Sequence, residues 1–228
     1  MIEMKFLFVL LLVLPQDGEE RRKAFLAGDS AREASALVLT LKEKNIDTVA
    51  AFFVNREKPY AGRLTALKAL RLLKKPAPKE YKRVYKTVQT HLSLEASRGH
   101  GMSSLKKNEV EMLLHALEWH TDMKYEHAMY VLEHYVDTDI NRLKRNKLPD
   151  RVREAAARLL GRYPESSSSR DTLWETLAER TEPDPLRQLC YDSLKPHMKN
   201  RREEVLRLKA DRRDVWLLKF QQKLLEKP

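Results

Sequence analysis

Four of the seven histidines, His115, His120, His127 and His134, crowd into one short stretch of the chain. Imidazole is the commonest metal ligand, but a zinc site needs three or four side chains to converge. Glu111 with His115, Glu118 with Asp122, and Tyr130 with His134 are i,i+4 pairs, and His127 shares a helical face with His134. None of them completes a His-Glu-x-x-His motif, so they are read as surface and interhelix polar residues, with no metal. Asp137-Thr138-Asp139-Ile140-Asn141 has the alternating acidic spacing of a calcium loop. Arg142 stands where that loop requires Gly, and Leu148 where the bidentate Glu belongs. Ser103 and Lys106 have the Ser-x-x-Lys spacing of acyl-enzyme hydrolases without their companion motifs, which suits a helix N-cap better. Cys190 is the one cysteine; it cannot form an internal disulfide, has no evident activating base, and is expected to be a small buried core residue. No catalytic residues and no cofactor are expected.

The strongest chemical signal is charge. The chain carries 44 Lys and Arg against 33 Asp and Glu, a formal net charge of +11. Between residues 56 and 86 eleven cations face only Glu57 and Glu80. Arg63, Lys68, Arg71, Lys74, Lys75, Lys79, Lys82, Arg83 and Lys86 are the candidate surface for an anionic partner. Helical spacing sets Lys68, Arg71, Lys74 and Lys75 opposite Ala66, Ala69, Leu70, Leu72 and Leu73. On the next helix Tyr81, Val84, Tyr85, Val88 and Leu92 form an apolar stripe that leaves Lys79, Lys82, Arg83 and Lys86 outward. Tyr81 and Tyr85 fall on that stripe, which argues against a stacking platform for single-stranded nucleic acid.

The elements that position these residues read as helices throughout. Hydrophobic residues make up 42% of the 228, charged residues 34%, and Gly only 6 positions, a folded composition with few tight turns. No alternating strand with a hairpin turn is evident, so the class is all-α. Helices are expected at about 30–44, 47–54, 60–74, 79–95, 105–119, 124–136, 139–146, 150–162, 169–181, 184–197, 200–208 and 211–226. The Ser166–Ser169 run reads as a polar turn between two of them. Residues 96–104 form the clearest loop and a candidate sub-boundary.

Pro149-Asp150-Arg151-Val152-Arg153-Glu154-Ala155-Ala156 returns 34 residues later as Pro183-Asp184-Pro185-Leu186-Arg187-Gln188-Leu189-Cys190. Such a period marks a stacked helical solenoid. Val152, Ala156, Leu159 and Leu160 match Leu186, Cys190, Ser193 and Leu194 on one face. Arg153 and Arg187 share a register from which each can reach an acid or a carbonyl of the adjacent repeat. The Asp beside each Pro is expected to cap its helix. With Leu160-Gly161, the progression resembles the short, PBS-lyase-type HEAT-like repeats over residues 149–197, although Lys195 stands where Gly is expected in the second copy. The resemblance implies a right-handed α-α superhelix and a binding habit, and no activity.

Phe6-Leu7-Phe8-Val9-Leu10-Leu11-Leu12-Val13-Leu14 is an unbroken apolar run followed by Pro15 and polar residues. It is long enough for a signal h-region and too short to span a bilayer, though Gln16 or Gly18 would have to serve at the cleavage site. Residues 1–18 are therefore expected to be a signal peptide and 19–228 a single helical repeat domain, exported or envelope-facing. The expected function is that of a non-enzymatic binding or scaffold module. Its partner would be an anionic protein or other macromolecule, or a membrane surface. The competing expectation is a cytoplasmic nucleic-acid binder, even a HEAT-like DNA glycosylase using Trp119 and Asp122, whose spacing departs from that family's pattern.

Overall fold

A chain poor in Gly and rich in Leu, Ala, Lys, Arg and Glu has little to end a helix with except proline and polar caps, and proline sets the boundaries here. The computed structural model describes residues 43–72, 82–98, 107–123, 128–137 and 149–226. Among these residues there are ten helices and no strand. They are α1 (Glu43–Val54), α2 (Tyr60–Leu70), α3 (Lys82–Arg98), α4 (Lys107–Asp122), α5 (Ala128–Val136), α6 (Asp150–Leu160), α7 (Ser167–Ala178), α8 (Asp184–Ser193), α9 (Arg201–Arg207) and α10 (Val215–Glu226). The all-α class is as expected. The apolar run Phe6–Leu14 and the helices expected at 30–44 and 139–146 lie wholly or largely outside the described residues.

The chain divides into two compact units, Met1–His91 with Asp122–Tyr125, and Leu92–Thr121 with Glu126–Pro228. The division falls inside α3, ahead of the loop expected at 96–104. In the first unit α1 packs on α2 across a short connection. Ile46, Val49, Ala50 and Phe53 of α1 are buried, as are Ala66, Leu67, Ala69 and Leu70 of α2 and Val84, Tyr85 and Val88 of α3. Leu72, expected on the apolar face, is instead 48% exposed because α2 ends at Leu70. In the second unit α5 packs on α6 and α7 on α8, while α5 also meets α7 and α6 meets α8. Two rows of helices result, the arrangement of stacked hairpins. α9 and α10 pack together as a further pair.

Four helices share one burial rhythm. Starting at Tyr60, Val110, Asp150 and Asp184, positions three, four, seven, eight, ten and eleven are buried in every case. In α6 these are Val152, Arg153, Ala156, Ala157, Leu159 and Leu160. In α8 and the residue after it they are Leu186, Arg187, Cys190, Tyr191, Ser193 and Leu194. The 34-residue repeat is thus a repeat of packing as well as of sequence.

Local details differ from expectation for physical reasons. The break expected between residues 44 and 47 is absent, since Asn45 and Ile46 are buried within continuous α1. Ser166–Ser169 is a helix start, not a turn: Ser166 is the N-cap of α7, and its Oγ accepts from the Ser169 amide at 3.1 Å. Asp150 and Asp184 do not cap. The N-cap residues are Pro149 and Pro183, with no side-chain cap bond, and the aspartates occupy the first helical position, where their charge favours the helix dipole. α10 begins only at Val215 because Asp214 Oδ1 accepts from the Leu217 amide at 3.0 Å.

Those prolines share a second property. The carbonyls of Pro59, Pro149 and Pro183 accept from the backbone N–H of Arg63, Arg153 and Arg187, four residues on. All three arginine side chains are buried. Arg63 Nε donates to the Phe53 carbonyl at 2.9 Å and Arg187 Nε to the Leu177 carbonyl at 2.8 Å. Arg153 Nη2 donates to the Val136 carbonyl at 2.8 Å. Each carbonyl lies in the last turn of an earlier helix, where acceptors have no intrahelical partner and a cation suits the dipole. The two later arginines also reach forward. Arg153 grips Glu182 with both terminal nitrogens. Arg187 holds Asp214 through bonds of 2.8 and 2.7 Å. These are bidentate, charge-assisted pairs, and each is nearly sealed from water.

The Arg187 guanidinium holds the Asp214 carboxyl below its ordinary range, against the opposing pull of burial. A carboxyl whose folded value is depressed stabilises the fold fully above its unfolded value and loses that contribution as pH falls through the folded one. Asp214→Asn is expected to lower stability at pH 7 by about 3–5 kcal/mol, as removal of one partner from a buried pair does. Because the variant lacks this titration, its loss relative to wild type should shrink towards strongly acidic pH. Urea unfolding across pH 2–7 reads both effects; an equal loss at every pH would contradict the assignment.

Gly161 follows α6 where the end of α8 comes close. A Cβ at this position would lie 3.1 Å from the Ser193 carbonyl oxygen and 3.4 Å from the Ser193 Cα. The neighbours are backbone and cannot swing away. Gly161→Ala is expected to cost about 1–3 kcal/mol from overpacking, measured by urea unfolding.

Candidate anion-binding surface

The sequence nominated nine cations, and the structure separates them. Lys68, Arg71, Lys82, Arg83 and Lys86 are exposed. Lys74, Lys75 and Lys79 lie outside the described residues. Arg63 is a correction: only 4% exposed and bonded to the Phe53 carbonyl, it belongs to the interior and contributes nothing to a partner surface. The signal that distinguishes it is Pro59-Tyr60-Ala61-Gly62-Arg63, the same Pro-x-x-x-Arg spacing found at Pro149 and Pro183.

Placement on the helices matters electrostatically. Lys68 occupies the exposed ninth position of the burial rhythm, and Arg71 caps the C-terminus of α2, where positive charge is favoured. α3 is the reverse case. Lys82 and Arg83 open this helix, Lys86 follows one turn later, and the first turn carries no acid. Cations at a helix N-terminus oppose the macrodipole, at roughly 0.3–1 kcal/mol each when exposed. Arg83 lies 3.5 Å from Asp47 but is 77% exposed, so this ion pair is weak compensation. Lys58 Nζ sits 5.2 Å above the Phe52 ring. On the buried face beneath, Tyr85 lies with Val84 and Val88, so its ring is not turned outward for stacking on a base, while Tyr81 lies outside the described residues.

Of the other candidates, His127, Ser103, Lys106 and residues 138–148 lie outside the described residues. Among the described residues no group of three His, Cys, Asp or Glu side chains is placed to hold a metal ion. His120 is buried, His134 is exposed, and His115 Nδ1 stands 3.9 Å from Glu118. Trp119 is 1% exposed, so its ring is not presented to any ligand. Glu133 has its carboxyl pushed up by burial, opposed by the hydrogen bond that Ser169 Oγ donates at 3.0 Å. This is a packing contact between α5 and α7.

A second charged feature was not anticipated from sequence. A cleft of about 270 Å³ in the second unit is lined by Arg180, Arg187, Arg213, Asp214, Trp216 and Lys219, among others. Its residues come from two separate stretches of chain, 180–187 and 213–219, so no local pattern announces it. Compared with known proteins, the chain matches no family model, no curated protein and no solved structure. No described helix is long and apolar enough to cross a membrane.

Cys190 occupies the slot of Ala156 and is fully buried, and burial pushes its thiol far above the ordinary range. The thiolate needed for nucleophilic attack is therefore scarce. Native protein is expected to resist a thiol-specific reagent and to react only as it unfolds, so that labelling against urea tracks the unfolding curve. Rapid stoichiometric labelling under native conditions would contradict the buried placement.

Proposed function

We propose that this protein is a non-enzymatic binding module, an exported scaffold of HEAT-like repeat type whose basic helices α2 and α3 engage an anionic partner. The observation that carries this reading is the N-terminus of α3. Lys82, Arg83 and Lys86 are held exposed where the helix dipole disfavours them, on a helix whose opposite face is buried. A partner bearing several negative charges relieves that repulsion and releases counterions, so binding gains on both counts. Stacked helical hairpins commonly act as extended binding surfaces. The apolar run Phe6–Leu14 supports export, which makes acidic proteins and anionic envelope polymers the partner class.

The combined variant Lys68→Glu, Arg71→Glu, Lys82→Glu, Arg83→Glu should elute from a heparin column at markedly lower salt than wild type, with unchanged helical circular dichroism. Unaltered retention would refute the surface. Arg63→Ala behaves oppositely: it lowers thermal stability and, at a temperature where it remains folded, leaves retention intact. An intact Met1 on protein recovered from the cytosol would overturn export.

A further inference from the structure

Among the described residues five large hydrophobic side chains are exposed, and three of them sit on α10: Val215 at 55%, Leu218 at 43% and Leu225 at 69%. The inward face of the same helix is occupied by Leu217, Phe220 and Leu224. Helical spacing places Val215, Leu218 and Leu225 along one side of the outward face, and Lys219 and Lys223 along the other. An apolar stripe beside a row of cations is unusual on a solvated helix and marks an interaction surface.

The cleft adjoins this stripe at the start of α10. Val215 lines it together with Trp216, four cations (Arg180, Arg187, Arg213 and Lys219) and the two acids Asp184 and Asp214. Two of its charges are already matched: Arg187 is held by Asp214, and Arg180 lies 3.2 Å from Asp211. The Trp216 ring is engaged by the Arg187 guanidinium at 4.2 Å and by Phe220 in a 4.9 Å stack. It walls the cleft and is not available to stack on a ligand. Arg213 and Lys219 remain exposed, and neither has a carboxylate within ion-pair distance among the described residues.

The stack itself shows what such a face accepts. At two earlier junctions the following hairpin supplies a carboxylate from just ahead of its second helix, Glu182 to Arg153 and Asp214 to Arg187. We infer that the α10 face docks an acidic amphipathic helix of a partner protein in the manner of a further hairpin. The partner's leucine-type side chains cover Val215, Leu218 and Leu225, and its carboxylates meet Arg213, Lys219 and Lys223. Charge disfavours a second copy of this chain, because the same cations would face each other across the contact.

The test uses the full chain and three fluorescein-labelled helical peptides of about sixteen residues, long enough for the i, i+3, i+4, i+7 anchors of a groove-bound helix. One carries a leucine face flanked by glutamates, the second replaces the glutamates by lysines, and the third replaces the leucines by serines. The acidic leucine peptide is expected to bind, and each of the others to bind at least about tenfold more weakly, the equivalent of about 1.4 kcal/mol. Arg213→Glu with Lys219→Glu, and separately Leu218→Ser with Leu225→Ser, should each weaken the acidic leucine peptide to a similar degree. These side chains are exposed, so the variants retain wild-type circular dichroism and unfolding midpoint. Reversing Lys68, Arg71, Lys82 and Arg83 should leave peptide binding unchanged, which separates this site from the α2–α3 surface. Three results overturn the inference: equal binding of acidic and basic peptides, loss of binding in the α2–α3 variant, or self-association in sedimentation that Leu218→Ser with Leu225→Ser abolishes.

Discussion

A guanidinium cannot shed its charge, so burying one commits the surrounding structure to supplying acceptors. In the second unit Arg153 and Arg187 use the same kinds of partner, although Arg187 reaches back through Nε and Arg153 through Nη2, which leaves the buried Arg153 Nε without a hydrogen bond. One bond runs back to a carbonyl in the last turn of an earlier helix, and a bidentate grip runs forward to a carboxylate just ahead of the second helix of the next hairpin. Each arginine therefore ties its own helix to one before it and to the next hairpin. Neither hairpin at such a junction can form its packed face without leaving a buried ion unmatched, which is a coupling between neighbours that apolar contact alone does not enforce. Small residues complete the arrangement: Ala156 and Cys190 at the same depth, and Gly161 where the end of α8 passes against backbone.

The same residue type does opposite work a few positions away. Arg63 sits four residues after Pro59, so its side chain emerges towards the end of α1 and serves the interior. Arg71 and Arg83 occupy helix ends turned to solvent and serve the surface. Position relative to the helix start, not charge density along the chain, decides between these fates. That distinction reduces a run of eleven cations to a smaller exposed set, and it leaves α3 with positive charge where its dipole least tolerates it. Electrostatic strain of this kind on a well-packed helix supports a role in recognition.

The two charged surfaces differ in kind. On α2 and α3 the cations overlie a buried apolar face, and among the described residues Leu72 is the one large hydrophobic side chain exposed beside them, which suits long-range attraction of a polyanion. On α10 cations border an apolar stripe, which suits a partner with both acidic and apolar groups. The first lies in the first unit and the second in the second unit.

Much of this was readable along the chain. Helical class followed from composition and from the spacing of Val152, Ala156, Leu159 and Leu160, because periodicity and propensity are local properties. The shared register of Arg153 and Arg187 pointed to contacts between repeats, and Cys190 to the core. The partners were not readable: Glu182 and Asp214 are 29 and 27 residues beyond their arginines, and only packing brings them near. The burial of Arg63 and the cleft around Arg213 and Lys219 were hidden for the same reason. Sequence by itself determined where helices run and which residues carry charge, since both depend on covalent chemistry and near neighbours. Tertiary structure alone decided which charges are spent on carbonyls and carboxylates inside and which stay exposed, because that depends on what distant chain comes within hydrogen-bonding reach.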